Sequence, residues 1–218
     1  MSRMNAWKKA SLMGAALACG AAGCVSQAAS QTKSATKASS GQTKSAKKES
    51  KMSDVPAVLR FKMKSLAGKD VELSKYKGKV IMLVNVASKC GFTPQYAGLE
   101  TLHRKYSPRG LAILGFPAND FASQEPGTDA EISTFCQKNY GVDFDMFSKI
   151  AVTGKEKHPL YKLLTETKTD PQFAGEVGWN FEKFLVGRDG KIVARFKSGV
   201  APESEEIKKA VEAALAKK

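Results

Sequence analysis

The chain has 218 residues, of which 42% are hydrophobic, and a formal net charge of +14. This length fits one ordinary domain with extensions, and the hydrophobic fraction is sufficient for a packed core. The charge is concentrated before residue 53, where nine basic residues and one acidic residue contribute +8 and leave +6 for the rest. Because no aromatic residue is interleaved with the lysines of residues 25–52, the composition argues against nucleic-acid binding.

The first 24 residues have the pattern of an export signal. Arg3, Lys8 and Lys9 precede an apolar run over residues 10–23, which is shorter than the roughly 20 residues that a membrane-spanning helix needs. The segment at 21–24, Ala-Ala-Gly-Cys, resembles a bacterial lipoprotein processing site, in which Cys24 is lipidated and becomes the new first residue. Secretory cleavage after Ala28 and a cytoplasmic chain are the alternatives. We predict an exported protein of the periplasm or cell envelope, lipid-anchored through Cys24.

Residues 25–52 contain Ser, Thr, Lys, Ala and Gln, with no large apolar residue except Met52 at the end and Val25 at the start. The sequence Gln-Thr-Lys-Ser-Ala occurs at 31–35 and again at 42–46. Such a segment cannot bury enough apolar surface to offset the loss of chain entropy on folding. We predict a disordered basic linker, and contact with an anionic envelope surface is its functional interpretation.

From residue 53 onward the pattern is that of a folded domain, placed at residues 53–218. Continuous apolar runs predict strands buried on both faces, and helical spacing predicts helices between them. The predicted elements are strands at 58–63, 71–73, 80–86 and 111–116, helices at 94–106, 129–140 and 160–166, strands at 181–186 and 191–196, and a helix at 202–216. This order predicts an α/β, thioredoxin-like fold, with a central mixed sheet flanked by helices and an N-terminal β-hairpin.

Cys90 follows the strand at 80–86 and precedes the helix that begins near Pro94. A cysteine in this position lies in a loop that leads into a helix N-terminus, where unpaired N–H groups and the helix dipole favour thiolate over thiol. A thiolate attacks a peroxide oxygen and becomes a sulfenic acid. The alternative for any single cysteine is an inert, buried side chain, but the strand-end and helix-start position favours a functional one.

The chain has four cysteines and two histidines, at Cys19, Cys24, Cys90, Cys136, His103 and His158. No C-x-x-C pair occurs, so neither a zinc ribbon nor a thioredoxin-type dithiol is predicted, and two distant histidines argue against a histidine-rich metal site. Cys136 shares a helix face with Ile132 and Phe135, which by itself favours a core cysteine. It is also the one internal thiol left, in an exported chain, to react with a Cys90 sulfenic acid.

Four motifs resemble the glutathione peroxidase family, in its order and spacing, from about Val55 to the C-terminus: NVASKCGFT at 85–93, GFPANDF at 115–121, QEPG at 124–127 and WNFEKF at 179–184. The resemblance implies a thioredoxin fold and the reduction of hydrogen peroxide and organic or lipid hydroperoxides, without a prosthetic cofactor or metal. It also implies a catalytic tetrad of Cys90, Gln124, Trp179 and Asn180. Amide and indole N–H donors around a sulfur stabilise its thiolate and orient the peroxide.

The resemblance is to the non-selenium branch that uses thioredoxin, because Cys136 aligns with its resolving cysteine. It implies a disulfide between Cys90 and Cys136, formed after local unwinding of the second helix, and reduction by a thioredoxin-like protein or by glutathione. The short stretch from 168 to 179 is similar to members that lack a tetramer-forming loop, which implies a monomer.

The chain departs from the family's pattern at three positions. Ala118 stands where many relatives have a cysteine, so no thiol is available there. Asp120 replaces a common Gln, which we interpret as a surface change of little consequence. Asp145 replaces a usual Pro, and we expect it to loosen the entry to a strand without affecting the chemistry.

Two other functions are compatible with parts of the sequence. A non-enzymatic, envelope-anchored thioredoxin-fold protein would use the domain as a binding scaffold and the basic tail for surface contact. A thiol–disulfide exchanger would need a second cysteine where Thr93 stands, so the sequence ranks this function last.

Overall fold

A computed structural model of the protein describes residues 54–217. The predicted signal peptide, the linker and Cys24 lie outside the described residues. Within residues 54–217, no helix combines the length and the apolar character needed to cross a bilayer.

A five-stranded mixed sheet forms the centre of the fold, with the strand order β5-β4-β3-β6-β7. Strand β3 is parallel to β4 and antiparallel to β6, β4 is parallel to β5, and β6 is antiparallel to β7. The strands are β3 (Val80–Val86), β4 (Leu111–Pro117), β5 (Asp145–Met146), β6 (Lys183–Val186) and β7 (Ile192–Phe196). Because every residue of β3 and β4 is buried, the two continuous apolar runs of the sequence correctly predict the centre of the sheet.

Four helices flank the sheet: α1 (Gln95–Tyr106), α2 (Asp129–Tyr140), α3 (Pro159–Thr165) and α4 (Glu205–Ala216). The start of α2 is fixed by a capping box, in which the Thr128 side chain accepts from the Glu131 N–H and the Glu131 side chain accepts from the Thr128 N–H. Its end is fixed by Gly141, which has a φ of 58° and whose N–H bonds to the Cys136 and Gln137 carbonyls. The mixed sheet with flanking helices and an antiparallel hairpin confirms the predicted fold class.

The N-terminal hairpin consists of β1 (Lys62–Lys64) and β2 (Asp70–Glu72), so the strand predicted at 58–63 is wrong over residues 58–61. Ala57–Leu59 forms a 3-10 turn, which brings the neighbouring side chains of Val58 and Leu59 both into the core. The alternation of apolar and polar residues therefore predicted a strand where the chain forms a 3-10 turn.

Asp120 and Asp145, the two aspartates that depart from the family's pattern, each accept a hydrogen bond from a residue distant in sequence. The Asp145 carboxylate accepts a hydrogen bond from the Tyr76 hydroxyl at 2.6 Å and lies 3.5 Å from Lys75 Nζ. Asp120 Oδ2 accepts from the Val152 N–H at 2.7 Å. Each carboxylate thus supplies an acceptor to another segment, and the expectations that Asp145 loosens a strand entry and that Asp120 has little consequence stay predictions.

Apolar side chains fill both sides of the sheet. One cluster joins alternate residues of β3 to α1, α2 and α4, and it contains both Cys90 and Cys136. The other joins the remaining residues of β3 to the hairpin and α3. The two cysteines thus belong to the same side of the sheet.

Candidate active site

Cys90 lies in the loop between the carboxyl end of β3 and the start of α1, with 7% of the residue exposed. The Phe92 backbone N–H donates to Cys90 Sγ at 3.4 Å, so the sulfur accepts a hydrogen bond from the chain that leads into α1. Thr93 Oγ1 accepts from the Cys90 N–H at 3.0 Å and donates to the Ala87 carbonyl at 2.8 Å. The Thr93 hydroxyl therefore closes the loop at the position where a thioredoxin has its second cysteine.

Gln124 lies in the loop after β4 and is bonded to the Cys90 loop through the backbone. The Lys89 N–H donates to the Gln124 carbonyl at 3.0 Å, so Gln124 is joined to the residue that precedes Cys90. Ala122 and Ser123 have φ values of 50° and 52°, a conformation that non-glycine residues rarely adopt. Two such residues in a row hold the chain in a tight turn, and strain of this kind is common at functional sites.

Asn180 is fully buried, and its Nδ2 donates to Gln124 Oε1 at 3.0 Å. Because the Gln124 oxygen is occupied, its amide N–H2 group remains available as a donor. Among residues 54–217, Asn180 Oδ1 and Asn85 Oδ1 are buried without a hydrogen-bond partner. Unpaired buried oxygens are rare, and their presence here marks a polar site.

Trp179 is held at the end of β3 by Asn85. Asn85 Nδ2 donates to the Trp179 carbonyl at 3.0 Å, and the Asn85 carbonyl accepts from the Phe181 N–H at 2.6 Å. Phe181 has a φ of 64°, so the strand predicted from residue 181 begins at Lys183 instead. The left-handed residue turns the chain so that Trp179 precedes the sheet as part of a loop.

The Trp179 ring is 37% exposed and packs on Phe121, with ring centroids 5.5 Å apart. Phe92, two residues after Cys90, is 36% exposed. These are the large apolar side chains that stand exposed in the described part of the chain. The motifs of the candidate site therefore contribute exposed aromatic rings as well as amide N–H donors.

The four residues of the predicted tetrad lie on three segments, and hydrogen bonds join these segments to one another. Gln124 and Asn180 touch directly, Gln124 is joined to Lys89, and Trp179 is joined to β3. The predicted catalytic roles of these residues stay predictions.

Cys136 lies on α2, 2% exposed, and has no disulfide partner. Burial raises the pKa of its thiol to about 11; the Tyr96 hydroxyl acts in the opposite direction and the Glu125 carboxylate adds to the rise. In the folded helix Cys136 is therefore protonated at neutral pH. A protonated thiol is a poor nucleophile, so its predicted role as resolving residue requires a change in its surroundings.

Glu125 is a further buried group of the site that the sequence reasoning missed. It is 1% exposed, the Ser88 hydroxyl donates to its Oε2 at 3.1 Å, and burial raises the pKa of its carboxyl. It borders an open pocket of about 390 Å³ that lies between residues 88–89 and the first half of α2. Only its place in the QEPG motif could have drawn attention to it.

Glu182 and Arg195 form a second group that the sequence did not reveal. Glu182 is fully buried; its Oε2 accepts from the Gly178 N–H at 2.8 Å, and its Oε1 accepts from Arg195 Nε at 2.8 Å and from Lys197 Nζ at 2.8 Å. The Arg195 guanidinium also donates to the carbonyls of residues 173–176. The loop that ends at Trp179 is therefore fixed to β7.

No group of three or more His, Cys, Asp or Glu side chains that could hold a metal ion occurs between residues 54 and 217. The groups that the site offers are a thiol, amide and indole N–H donors and a buried carboxyl. Such a set is suited to thiol chemistry.

Comparison with known proteins gives a consistent result. A family model described as "Glutathione peroxidase" matches residues 58–165. A "Glutathione peroxidase" of Lactococcus lactis is 52% identical over 151 residues, which are 68% of this chain and 96% of that protein. The "Thioredoxin/glutathione peroxidase BtuE" of Escherichia coli is 43% identical over 180 residues, which are 74% of this chain and 98% of that protein.

A solved structure is also similar to this chain. The crystal structure of T. cruzi GPX1 is 34% identical in sequence and superposes with a TM-score of 0.58, covering 72% of this chain and 95% of that one.

Proposed function

The chain belongs to the glutathione peroxidase family and is a thiol-dependent peroxidase, and we propose that Cys90 is the residue that attacks the hydroperoxide. The observation that supports this assignment best is the pair of contacts through Gln124, whose side chain bonds Asn180 and whose carbonyl bonds Lys89. They bring donors from two distant motifs to the loop that carries the thiol. A thiol, from thioredoxin or glutathione, serves as co-substrate.

In the first step a sulfur electron pair of the Cys90 thiolate attacks the terminal oxygen of the hydroperoxide. The S–O bond forms, the O–O bond breaks, and the alkoxide or hydroxide that leaves takes up a proton to become an alcohol or water. The Gln124 amide and the Trp179 indole N–H would donate to the peroxide oxygens as negative charge moves onto the leaving oxygen. Cys90 is oxidised to a sulfenic acid and the hydroperoxide is reduced.

In the second step the Cys136 sulfur attacks the Cys90 sulfenic acid, and the leaving hydroxide is released as water as the disulfide forms. The thiol proton of Cys136 supplies the proton for that water. Since Cys136 is buried in α2 and protonated, we propose that the helix opens locally before this step. Two thiols of the reductant then reduce the disulfide and return both cysteines to the starting state.

We propose a thioredoxin-like dithiol as the preferred reductant, because a dithiol reduces an internal disulfide without leaving a mixed disulfide on the enzyme. An NADPH-coupled assay of hydroperoxide consumption tests this, with a thioredoxin system in one arm and glutathione with its reductase in the other. Faster turnover with thioredoxin, abolished by Cys136→Ser, is the expected result. Turnover supported equally by glutathione in Cys136→Ser would contradict it, and no turnover in either arm would favour a binding protein.

We also propose that the protein is exported as a monomer to the cell envelope and anchored by a lipid on Cys24. The support comes from the sequence: a signal-like start, a processing-site pattern at 21–24 and a lysine-rich linker. Mass spectrometry of the mature N-terminus in cells tests this, because a lipidated residue 24 is expected. An N-terminus at Ala29 would indicate plain secretion, and an intact Met1 would indicate a cytoplasmic protein.

A further inference from the structure

Basic side chains collect at the end of the domain opposite Cys90, where β3 and β4 begin and α1 and α4 end. We call the following six residues the basic end: Lys77, Lys79, Lys105, Arg109, Arg188 and Lys191. Five of them are exposed and Arg188 is half-buried. They come from three segments of the chain, so their proximity is a product of the fold.

Arg188 shows that these segments meet. Its Nη1 donates to the Gly78 carbonyl at 2.7 Å, and its Nη2 lies 3.4 Å from the Arg109 carbonyl. Its Nε donates to the Lys217 carbonyl at 3.1 Å, which adds the end of α4. One guanidinium thus fixes the loop before β3, the turn after α1, the β6–β7 turn and the C-terminal helix at one place.

The positive charge of the basic end is not neutralised within the described domain. None of the six residues forms an ion pair with an acidic residue between 54 and 217. Two acids lie nearby, Asp189 and Glu212, and their charges offset two of the six positive charges, which leaves a net charge of +4. The surface therefore carries an excess of cations available to an anionic partner.

The N-terminal segment of the chain enters the domain at the same end. Pro56 packs on Gly190 in the β6–β7 turn so closely that a Cβ at Gly190 would lie 2.0 Å from Pro56 Cβ. Gly190 has a φ of 80° and is two residues from Arg188. The described chain therefore begins near the basic end, and the residues that precede position 53 in the sequence carry a charge of +8.

Cys90 lies at the other end of the same strand. Lys79 directly precedes β3, whose seven residues separate it from the loop of Cys90. At about 3.3 Å per residue, the strand alone spans roughly 20 Å. A surface that touches the basic end therefore leaves the thiol loop facing the opposite direction.

We propose that the basic end binds an anionic phospholipid surface, so that the domain sits on the membrane with its linker toward the bilayer and Cys90 toward the aqueous side. This inference rests on the proposed envelope location and goes beyond the peroxidase reaction. The charge excess, the entry point of a lysine-rich chain and the opposite position of the thiol all support this one orientation. Its consequence is that Cys90 meets hydroperoxides dissolved in water rather than those embedded in the bilayer beneath.

Vesicle sedimentation tests the proposal with the full chain carrying Cys24→Ser, so that no lipid is attached. The probes are vesicles of phosphatidylglycerol with phosphatidylcholine, and vesicles of phosphatidylcholine alone. Lys77→Glu, Lys79→Glu and Lys191→Glu together form the test variant. A variant with the same charge change at exposed residues elsewhere, Lys69→Glu, Lys155→Glu and Lys209→Glu, is the matched control.

We expect the test variant to bind anionic vesicles at least about tenfold more weakly than the parent chain, and the control to change less than about threefold. Binding should weaken as salt rises, because exposed charges are screened. Equal loss in both variants, or no loss in either, would overturn the proposal. Binding to RNA without binding to vesicles would overturn it as well.

Amine acetylation of the bound chain gives the orientation. Lys77, Lys79 and Lys191 should lose reactivity when anionic vesicles are added, whereas Lys89, beside Cys90, should keep it. Protection of Lys89 instead would contradict the orientation. Hydroperoxide turnover of each variant in solution tests the proposed function separately, since none of the substituted residues belongs to the thiol site.

Discussion

Cys90 and Cys136 pack into the same apolar cluster but have opposite surroundings. Cys90 lies in a loop at a helix start, accepts a backbone N–H, and neighbours a motif rich in amide donors. Cys136 lies inside a capped helix, where burial raises the pKa of its thiol to about 11. In the mechanism we propose, Cys90 reacts first from its loop, whereas the buried Cys136 thiol reacts only after the helix opens.

In the proposed mechanism, this difference separates the two steps of the reaction. A resolving thiol that is ionised and exposed at all times would itself react with peroxide. On the proposed mechanism, keeping Cys136 protonated inside α2 would preserve it for reaction with the Cys90 sulfenic acid, and a conformational step would be required. The predictions below test that separation.

Replacing each cysteine in turn gives the largest effect. Cys90→Ser should lower thioredoxin-driven turnover at least about 1,000-fold, because the nucleophile is lost. Cys136→Ser should also stop that turnover, yet leave the single-turnover rate of Cys90 oxidation within about twofold of wild type. Rapid mixing with hydrogen peroxide, followed by tryptophan fluorescence, measures the first step, and slow Cys90 oxidation in Cys136→Ser would contradict the separation.

Removing one donor of the Cys90 site should slow only the first step. Gln124→Leu should lower the rate of Cys90 oxidation about 100-fold, because the developing charge on the leaving oxygen loses a hydrogen bond. Gln137→Leu, on the exposed side of α2, is the control and should leave that rate unchanged. Equal rates in the two variants would remove Gln124 from the proposed mechanism.

The buried thiol of Cys136 should make stability depend on alkaline pH. Its folded-state pKa is about 11, whereas an unfolded cysteine ionises near about 8.5. As pH rises, the unfolded chain loses the proton first, so the stability contributed by Cys136 is complete below pH about 8.5 and is lost between about 8.5 and 11. Over that range the free energy of unfolding of wild type should fall by up to about 3 kcal/mol more than that of Cys136→Ser.

Urea unfolding across this pH range measures the difference. Ionising groups that do not contact Cys136 affect both proteins alike, so their contribution cancels, and a Tyr96→Phe background removes the one tyrosine of the described chain whose pKa depends on Cys136. Parallel pH curves for the two proteins would show that Cys136 is not held as a buried thiol.

Weakening the end of α2 should have the smallest effect, and it should act on the second step. Gly141→Ala forces a side chain into the left-handed conformation that ends the helix and should cost about 1 kcal/mol. An opening equilibrium shifted by that amount should raise the rate of disulfide formation about fivefold. Quenched-flow thiol alkylation measures this rate.

Gly154→Ala is the matched control, because Gly154 has a φ of 73°, has no close neighbours and lies far from α2 in sequence. It should be destabilised to a similar degree without faster disulfide formation. If both variants, or neither, show faster disulfide formation, opening of α2 is not the limiting step.

The sequence predicted the elements that carry the site better than the contacts within it. Val80–Val86 and Asp129–Tyr140 have the predicted bounds, because a long apolar run and a capping box are local signals. The 3-10 turn at Ala57–Leu59 was missed, because residues 59–63 alternate between apolar and polar side chains and Val58 was counted as part of that pattern.

The supporting groups of the site could not have been predicted from local pattern. Glu182 and Arg195 are 13 residues apart and meet only because β6 pairs with β7. Glu125 is buried because the loop after β4 folds over residue 88. Contacts between distant segments depend on the completed fold. The sequence motifs therefore identified the candidate residues, but only the structure shows which side chains contact them.

The most direct test of the account is the order in which the two cysteines react. One equivalent of hydrogen peroxide is added to the reduced protein, and samples quenched over time are treated with a sulfenic-acid trap and mapped by mass spectrometry. The account predicts a sulfenic acid on Cys90 first, followed by its replacement with a Cys90–Cys136 disulfide. Trapping of the first oxidation on Cys136, or a Cys90 that stays reduced while peroxide is consumed, would contradict it.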